Sequence, residues 1–132
     1  MAGLIKGTHH TAIRCCGEAE FKEAIAFYTD VLGLRVLRTW GEGTKSGAMI
    51  DTGNGIIEMF ADAEPGRKIG IVDHIALATD DVDGCIAAVR AAGCEVTVEP
   101  HDVTIPSEPP CPAYIAFCNG KAGESIEFFC EK

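Results

Sequence analysis

Two histidines and two glutamates recur in matched order along a chain of 132 residues: His10, Glu58, His74 and Glu127. Each histidine opens or sits in a short apolar run, within residues 9–14 and 73–78, and each glutamate interrupts another, within residues 56–60 and 126–129. In an extended chain residues two apart share a face. His10, Ala12 and Arg14 therefore fall on one side and Thr11 and Ile13 on the other; His74, Ala76 and Ala78 oppose Ile75 and Leu77 in the same way. Glu58 stands alone against Ile57 and Met59, and Glu127 against Ile126 and Phe128. A carboxylate withdrawn from water without a partner is costly, so each must reach solvent, a cation or a metal. The small alanines beside each histidine leave room for such a partner. Two neutral imidazoles and two carboxylates suit Zn, Ni, Co or Mn, with water completing the coordination.

The elements that must position these four residues are also written twice. In the first half a histidine strand is followed by a helical pattern with Phe21, Ile25, Tyr28 and Leu32 on one face, stopped by Gly33, and then by a strand over residues 34–38. In the second half Asp80 and Asp81 are helix-start candidates, Val82, Ile86 and Val89 share a face, Gly93 is the stop, and residues 94–98 form the matching strand. Further strands are expected over 48–50, 56–60, 114–117 and 126–129. Each half reads β-α-β-β-β, so the expectation is a single α+β domain over residues 1–132, built of two repeats, about 6–66 and 70–132. Four of the six prolines lie in residues 105–112, which are expected to form an extended loop or edge connection.

Composition limits the partners. Twenty acidic residues against eleven basic ones give a net charge of −9, the wrong sign for binding phosphate backbones or an anionic membrane surface. The longest apolar stretches fall short of the roughly 20 residues that cross a bilayer, and the first residues lack a signal-peptide hydrophobic region. Seven cysteines, an odd number without a Cys-x-x-Cys pair, suit a reducing compartment, and the expected location is cytoplasmic. Cys15 and Cys16 are read as small packing residues outside the site.

The chain resembles the vicinal oxygen chelate superfamily and, within it, the short bacterial lactoylglutathione lyases, or glyoxalases. The resemblance rests on residues 10–14 (His-Thr-Ala-Ile-Arg), 27–34, 57–59, 73–77 and 123–128, and it spans nearly the whole chain. It implies paired β-α-β-β-β modules curled around a metal-binding cleft, as in the glyoxalase/bleomycin resistance/dioxygenase fold, often with the site completed between the chains of a homodimer. It places the metal on His10, Glu58, His74 and Glu127, with Ni or Zn first and Co, Mn or Fe as further choices. The family pattern selects His10 over His9, which then faces the helix side or the rim. The implied reaction is proton transfer on the hemithioacetal of a 2-oxoaldehyde and a thiol, giving the thioester of a 2-hydroxy acid. Glu127 is the first choice of base and Glu58 the second, and Arg14 matches a substrate-binding arginine.

Some residues depart from the family. Asp62 stands where an Asn commonly helps bind the glutathione carboxylate, residues 119–123 replace a Pro-Asp-Gly turn, and the proline-rich segment falls near a substrate loop. An anion at residue 62 would repel another anion, which disfavours glutathione as the thiol. His101 is expected in an exposed loop, Trp40 in rim packing, and Arg38 and Lys121 as surface charges. Other functions open to this residue set are an acyl-coenzyme A epimerase, a non-haem iron dioxygenase, and a metal-free protein that binds a small molecule such as an antibiotic.

Overall fold

The computed structural model of the protein describes residues 9–66, 74–106 and 109–132. Asp73 of the second histidine motif, Ser107 and Glu108 of the proline-rich connection, and the starts of the two repeats at residues 6–8 and 70–73 lie outside them. The first half comprises β1 (His10–Arg14), α1 (Gly17–Ala26), β2 (Arg35–Trp40), β3 (Gly47–Asp51) and β4 (Ile56–Phe60). The second comprises β5 (Ile75–Ala78), α2 (Val82–Ala91), β6 (Val96–Ile105), β7 (Cys111–Asn119) and β8 (Ser125–Glu131). Each forms a four-stranded sheet of one topology, β1-β4-β3-β2 and β5-β8-β7-β6. The histidine strand pairs parallel with the glutamate strand, and the other pairings are antiparallel.

Side-chain chemistry sets the helix ends. The Asp81 carboxylate accepts the Gly84 amide at 2.9 Å, which satisfies one of the unpaired donors in the first turn of α2. At the other end Gly93 adopts a φ of 83°, and Lys121 Nζ donates to the Ala92 carbonyl at 2.8 Å. Lys121 therefore closes α2, where a cation also suits the helix dipole, rather than serving only as surface charge. The first helix does not run on regularly to Leu32: Phe27–Val31 form one π-helical turn, which carries Phe27 and Tyr28 into the interior before Gly33 ends it at a φ of 76°.

The strand expected over 94–98 begins at Val96 and continues to Ile105. Pro100 fits within it because β6 lies at a sheet edge and its pairing with β7 is irregular between Val98 and His101. His101 consequently sits in a strand opposite Ile115, not in a loop. Ile105, Cys111 and Pro112, expected in the connection, are strand residues as well.

Alternation puts Ile13, Ile57, Met59, Ile126 and Phe128 on the buried faces, where they join Phe21 and Tyr28 of the first half and Val82, Ile86 and Val89 of α2 in one continuous core. Each such side chain contributes about 1.5–3 kcal/mol on burial. A polar contact crosses between the halves inside this region: the Tyr28 hydroxyl donates to Glu124 Oε2 at 2.8 Å, and the Ala122 amide donates to the other carboxylate oxygen at 3.0 Å. Burial raises Glu124 above the ordinary carboxylate range, although both hydrogen bonds pull it back, and burial followed by the Glu124 charge raises Tyr28 well above the usual phenol range.

These contacts carry a stability prediction. An acid whose pKa is raised by folding holds its proton more tightly in the folded state, so its stabilising contribution is complete below the unfolded value and is lost as pH rises through the folded one. Glu124→Gln keeps an oxygen for Ala122 and removes the charge. Its melting temperature should gain on that of the unmodified chain as pH rises from about 4 to 8, while Tyr28→Phe should cost about 1–3 kcal/mol in chemical denaturation. A Glu124→Gln difference that stays constant with pH would contradict this account of the buried pair.

Candidate metal centre

Strand register brings each histidine to its glutamate. In the parallel pairing of β1 with β4, His10 stands level with Ile56 and Ala12 level with Glu58, so His10 and Glu58 are diagonal neighbours on one face. In the second sheet Ala76 stands level with Glu127, and His74, two residues before it, takes the same diagonal. His10 Nε2 lies 3.5 Å from Glu58 Oε1, and His74 Nε2 lies 3.2 Å from Glu127 Oε1. An alanine is directly across from each carboxylate, and the missing bulk gives the imidazole its approach.

The two pairs share an electrostatic character. The carboxylates are enclosed, with 14% of the Glu58 side chain and 10% of the Glu127 side chain exposed, whereas the imidazoles are 38% and 34% exposed. Each pair thus has a shielded anionic floor and an open nitrogen rim. Among the described residues no Lys or Arg pairs with either carboxylate. His10 Nδ1 also lies 2.9 Å from Nδ1 of His9, which sits before β1 at the exposed rim, and the His74 ring meets Phe117 edge-on at 5.4 Å.

The four residues form two pairs within the chain rather than one cluster. Among the described residues no group of three or more His, Cys, Asp or Glu side chains lies together in a way that would hold a metal ion. The donor set still fits a borderline divalent ion: Nε2 and a carboxylate oxygen at each pair are metal-ligating atoms, and two such pairs supply four. Cys118 offers no reactive thiol: it is fully buried, and burial pushes its thiol up to about 12.

Beyond the first pair, along the same sheet face, the expected substrate arginine is already engaged. Arg14 Nη1 lies 2.5 Å from Asp62 Oδ1, and the guanidinium stands over the Phe60 ring at 4.7 Å. Trp40 meets Phe60 edge-on at 6.0 Å and lies across Gly47, where an added Cβ would come within 2.1 Å of the indole. Trp40 is therefore part of a wall on the face that carries Glu58, a more specific place than rim packing. Sequence reasoning did not identify Phe60 or Gly47 as part of it. The alternation of Glu58, Phe60 and Asp62 along β4 and beyond is the signal that could have found Phe60.

Comparison with known proteins identifies the family and the fold. Residues 7–107 match the family described as the glyoxalase/bleomycin resistance protein/dioxygenase superfamily. A lactoylglutathione lyase of Haemophilus influenzae is 32% identical, over 90% of this chain and 88% of that protein. Among solved structures, the trypanothione-dependent glyoxalase I of Leishmania major aligns with a TM-score of 0.71 at 21% identity, over 96% of this chain and 87% of that one. An antibiotic-binding protein from Streptomyces aligns with a TM-score of 0.72 at 17% identity, over 99% and 100%. At those identities the two structures establish a shared fold and nothing finer. Doubled β-α-β-β-β sheets with a His–Glu diagonal in each, together with the family match over most of the length, make this chain a member of the glyoxalase/bleomycin resistance protein/dioxygenase superfamily.

Proposed function

We propose that the protein is a metal-dependent lyase of the glyoxalase type, whose complete site joins His10 and Glu58 of one copy to His74 and Glu127 of a second copy in a homodimer. The observation that carries this reading is the equal diagonal geometry of the two pairs, each setting a histidine Nε2 against a glutamate oxygen at an equivalent place in its sheet. Two protein donors fall short of the three or four that hold a catalytic zinc-like ion. A two-fold axis that sets the first half of one chain against the second half of another would complete two equivalent sites at once. The match to a lactoylglutathione lyase at 32% identity supports the reaction class.

The substrate in this reading is the hemithioacetal of a 2-oxoaldehyde and a thiol. A bound divalent metal, Ni or Zn by the resemblance to the glyoxalases, would polarise the substrate oxygens and stabilise the negative charge that develops as the proton leaves. Glu127, the more enclosed carboxylate, removes the C1 proton and returns it at C2, while the hydroxyl proton passes from the C1 oxygen to the C2 oxygen; the C1 hydroxyl becomes the thioester carbonyl and the C2 carbonyl a hydroxyl. Glu58, in the matching place of the other half, is the second choice of base. Enclosure of both carboxylates limits water near the reacting carbons.

Two outcomes are expected. With methylglyoxal and a small thiol, Glu127→Gln should lower kcat by about 10²–10⁴-fold while metal content, read by mass spectrometry, and melting temperature stay close to those of the unmodified protein. Full activity in the metal-loaded variant would remove Glu127 as the required base. The shared site is tested by complementation. A His10→Ala, Glu58→Ala chain and a His74→Ala, Glu127→Ala chain should each be inactive, yet after mixing and subunit exchange one of the two sites in every mixed dimer is intact. Activity and metal binding should then recover to roughly a quarter of the unmodified level for random pairing. No recovery in demonstrated mixed dimers would rule out a site shared in this way.

A further inference from the structure

Resting on that reading of the His10–Glu58 pair, the structure assigns Asp62 and Trp40 as the residues that choose the thiol, and it points to a thiol whose arm is uncharged and ends in an apolar or aromatic group. Register fixes the layout. Arg14 stands level with Phe60, Phe60 with Gly47, and Gly47 with Trp40, so these four form one row across β1, β4, β3 and β2 on the face that carries Glu58, one side-chain repeat further along the strands. In this reading a substrate whose reacting carbons lie at Glu58 rests its arm on this row.

The charge along the row is cancelled before any ligand arrives. Asp62 is held in place by backbone hydrogen bonds on both sides: the Gly17 amide donates to the Ala61 carbonyl at 3.1 Å, and the Ala63 amide donates to the Cys15 carbonyl at 2.9 Å. Its backbone is thereby fixed beside β1, and its carboxylate lies 2.5 Å from Arg14, both side chains being about half exposed, at 51% each. A carboxylate on the substrate would have to displace Asp62 from Arg14 and then lie against it, which costs more than burying a neutral group. Arg38 shares the face but stands one row back, opposite Met49 and level with Glu58.

What the row offers in place of a charge is apolar surface. Trp40 remains 39% exposed although it lies on Gly47 and against Phe60, so an indole is presented on a rigid support. The second half repeats the His–Glu diagonal but lacks this row: Ala78 stands level with Phe129 where Arg14 stands level with Phe60, and His101 pairs with Ile115 where Trp40 pairs with Gly47. A feature present in only one of two duplicated halves is not needed for the shared framework.

Trp40 is the only tryptophan in the chain, so its fluorescence reports on this wall directly. The full chain would be titrated with two unreactive thioethers that share a benzyl group, S-benzylglutathione with its two carboxylates and S-benzyl-N-acetylcysteamine with none. The uncharged thioether should quench Trp40 with a Kd lower by about tenfold or more. Asp62→Asn, which frees Arg14, should tighten S-benzylglutathione by about tenfold and leave the uncharged probe within about twofold. Gly47→Ala, which crowds the indole, should weaken the uncharged probe by about tenfold. Equal or tighter binding of S-benzylglutathione by the unmodified chain, no response to Asp62→Asn, or no quenching by either probe would overturn the assignment. These measurements read binding without turnover. Failure to convert any hemithioacetal would strike the proposed reaction and leave the selectivity standing, and the reverse result would strike the selectivity alone.

Discussion

The structure depends on placing a carboxylate in the middle of an apolar, interior strand. Glu58 lies in β4 and Glu127 in β8, each with a strand on both sides, and their sequence neighbours Ile57, Met59, Ile126 and Phe128 are buried. An isolated carboxylate there would lose hydration with nothing in return. Both sheets answer in the same way: an alanine directly across the parallel pairing opens space, and an imidazole two residues earlier in the chain fills it. Parallel pairing of the two strands excludes a direct hairpin, so the intervening helix and antiparallel strands follow from the need to bring the histidine strand alongside. The β-α-β-β-β unit is the shortest statement of that constraint.

Joining two such units requires their buried faces to agree on one arrangement. The apolar core alone would tolerate small slides, because hydrophobic contact has little directionality. Tyr28 and Glu124 add a directional contact across the junction, and both groups are deep enough that breaking it leaves buried polar atoms unpaired. The π-helical turn at Phe27–Val31 acquires a purpose in this light, since it presents Tyr28 inward at the end of α1.

Most of the fold was legible because alternation and helix punctuation are local signals. Gly33, Gly93 and Asp81 mark helix ends through their own backbone or side-chain chemistry, and the isolated glutamates in β4 and β8 announce a polar face by parity alone. What was not legible depends on distant partners. Pro100 signals a break until one knows that β6 is an edge strand with an irregular register, and this is also why His101 was expected in a loop. Tyr28 meets a partner 96 residues away, and Lys121 finds its role at the end of a helix 29 residues earlier. Parity identifies the face of each metal-ligating candidate but not which sheet it joins, so the separation into two pairs emerges only from the topology.

Duplication supplies an internal control that a single module would lack. Both halves inherit the same framework, so residues kept at matching places in the two sheets belong to what both halves do, and residues that differ belong to what only one does. The histidine, the alanine across from the carboxylate, and the carboxylate itself match in identity and register. Met49 against Phe117 and Trp40 against His101 do not match, although each pair occupies the same place relative to its glutamate strand. In the proposed dimer, chemistry at the diagonal is therefore symmetric, while the surface offered to a substrate arm is not. An ion held between two copies would see equivalent donors from both sides. On that proposal one side is built of Arg14, Asp62, Phe60 and Trp40 and the other around His101 and Phe117, a difference that favours one direction of substrate binding and separates the proposed base in one half from the proposed binding wall in the other.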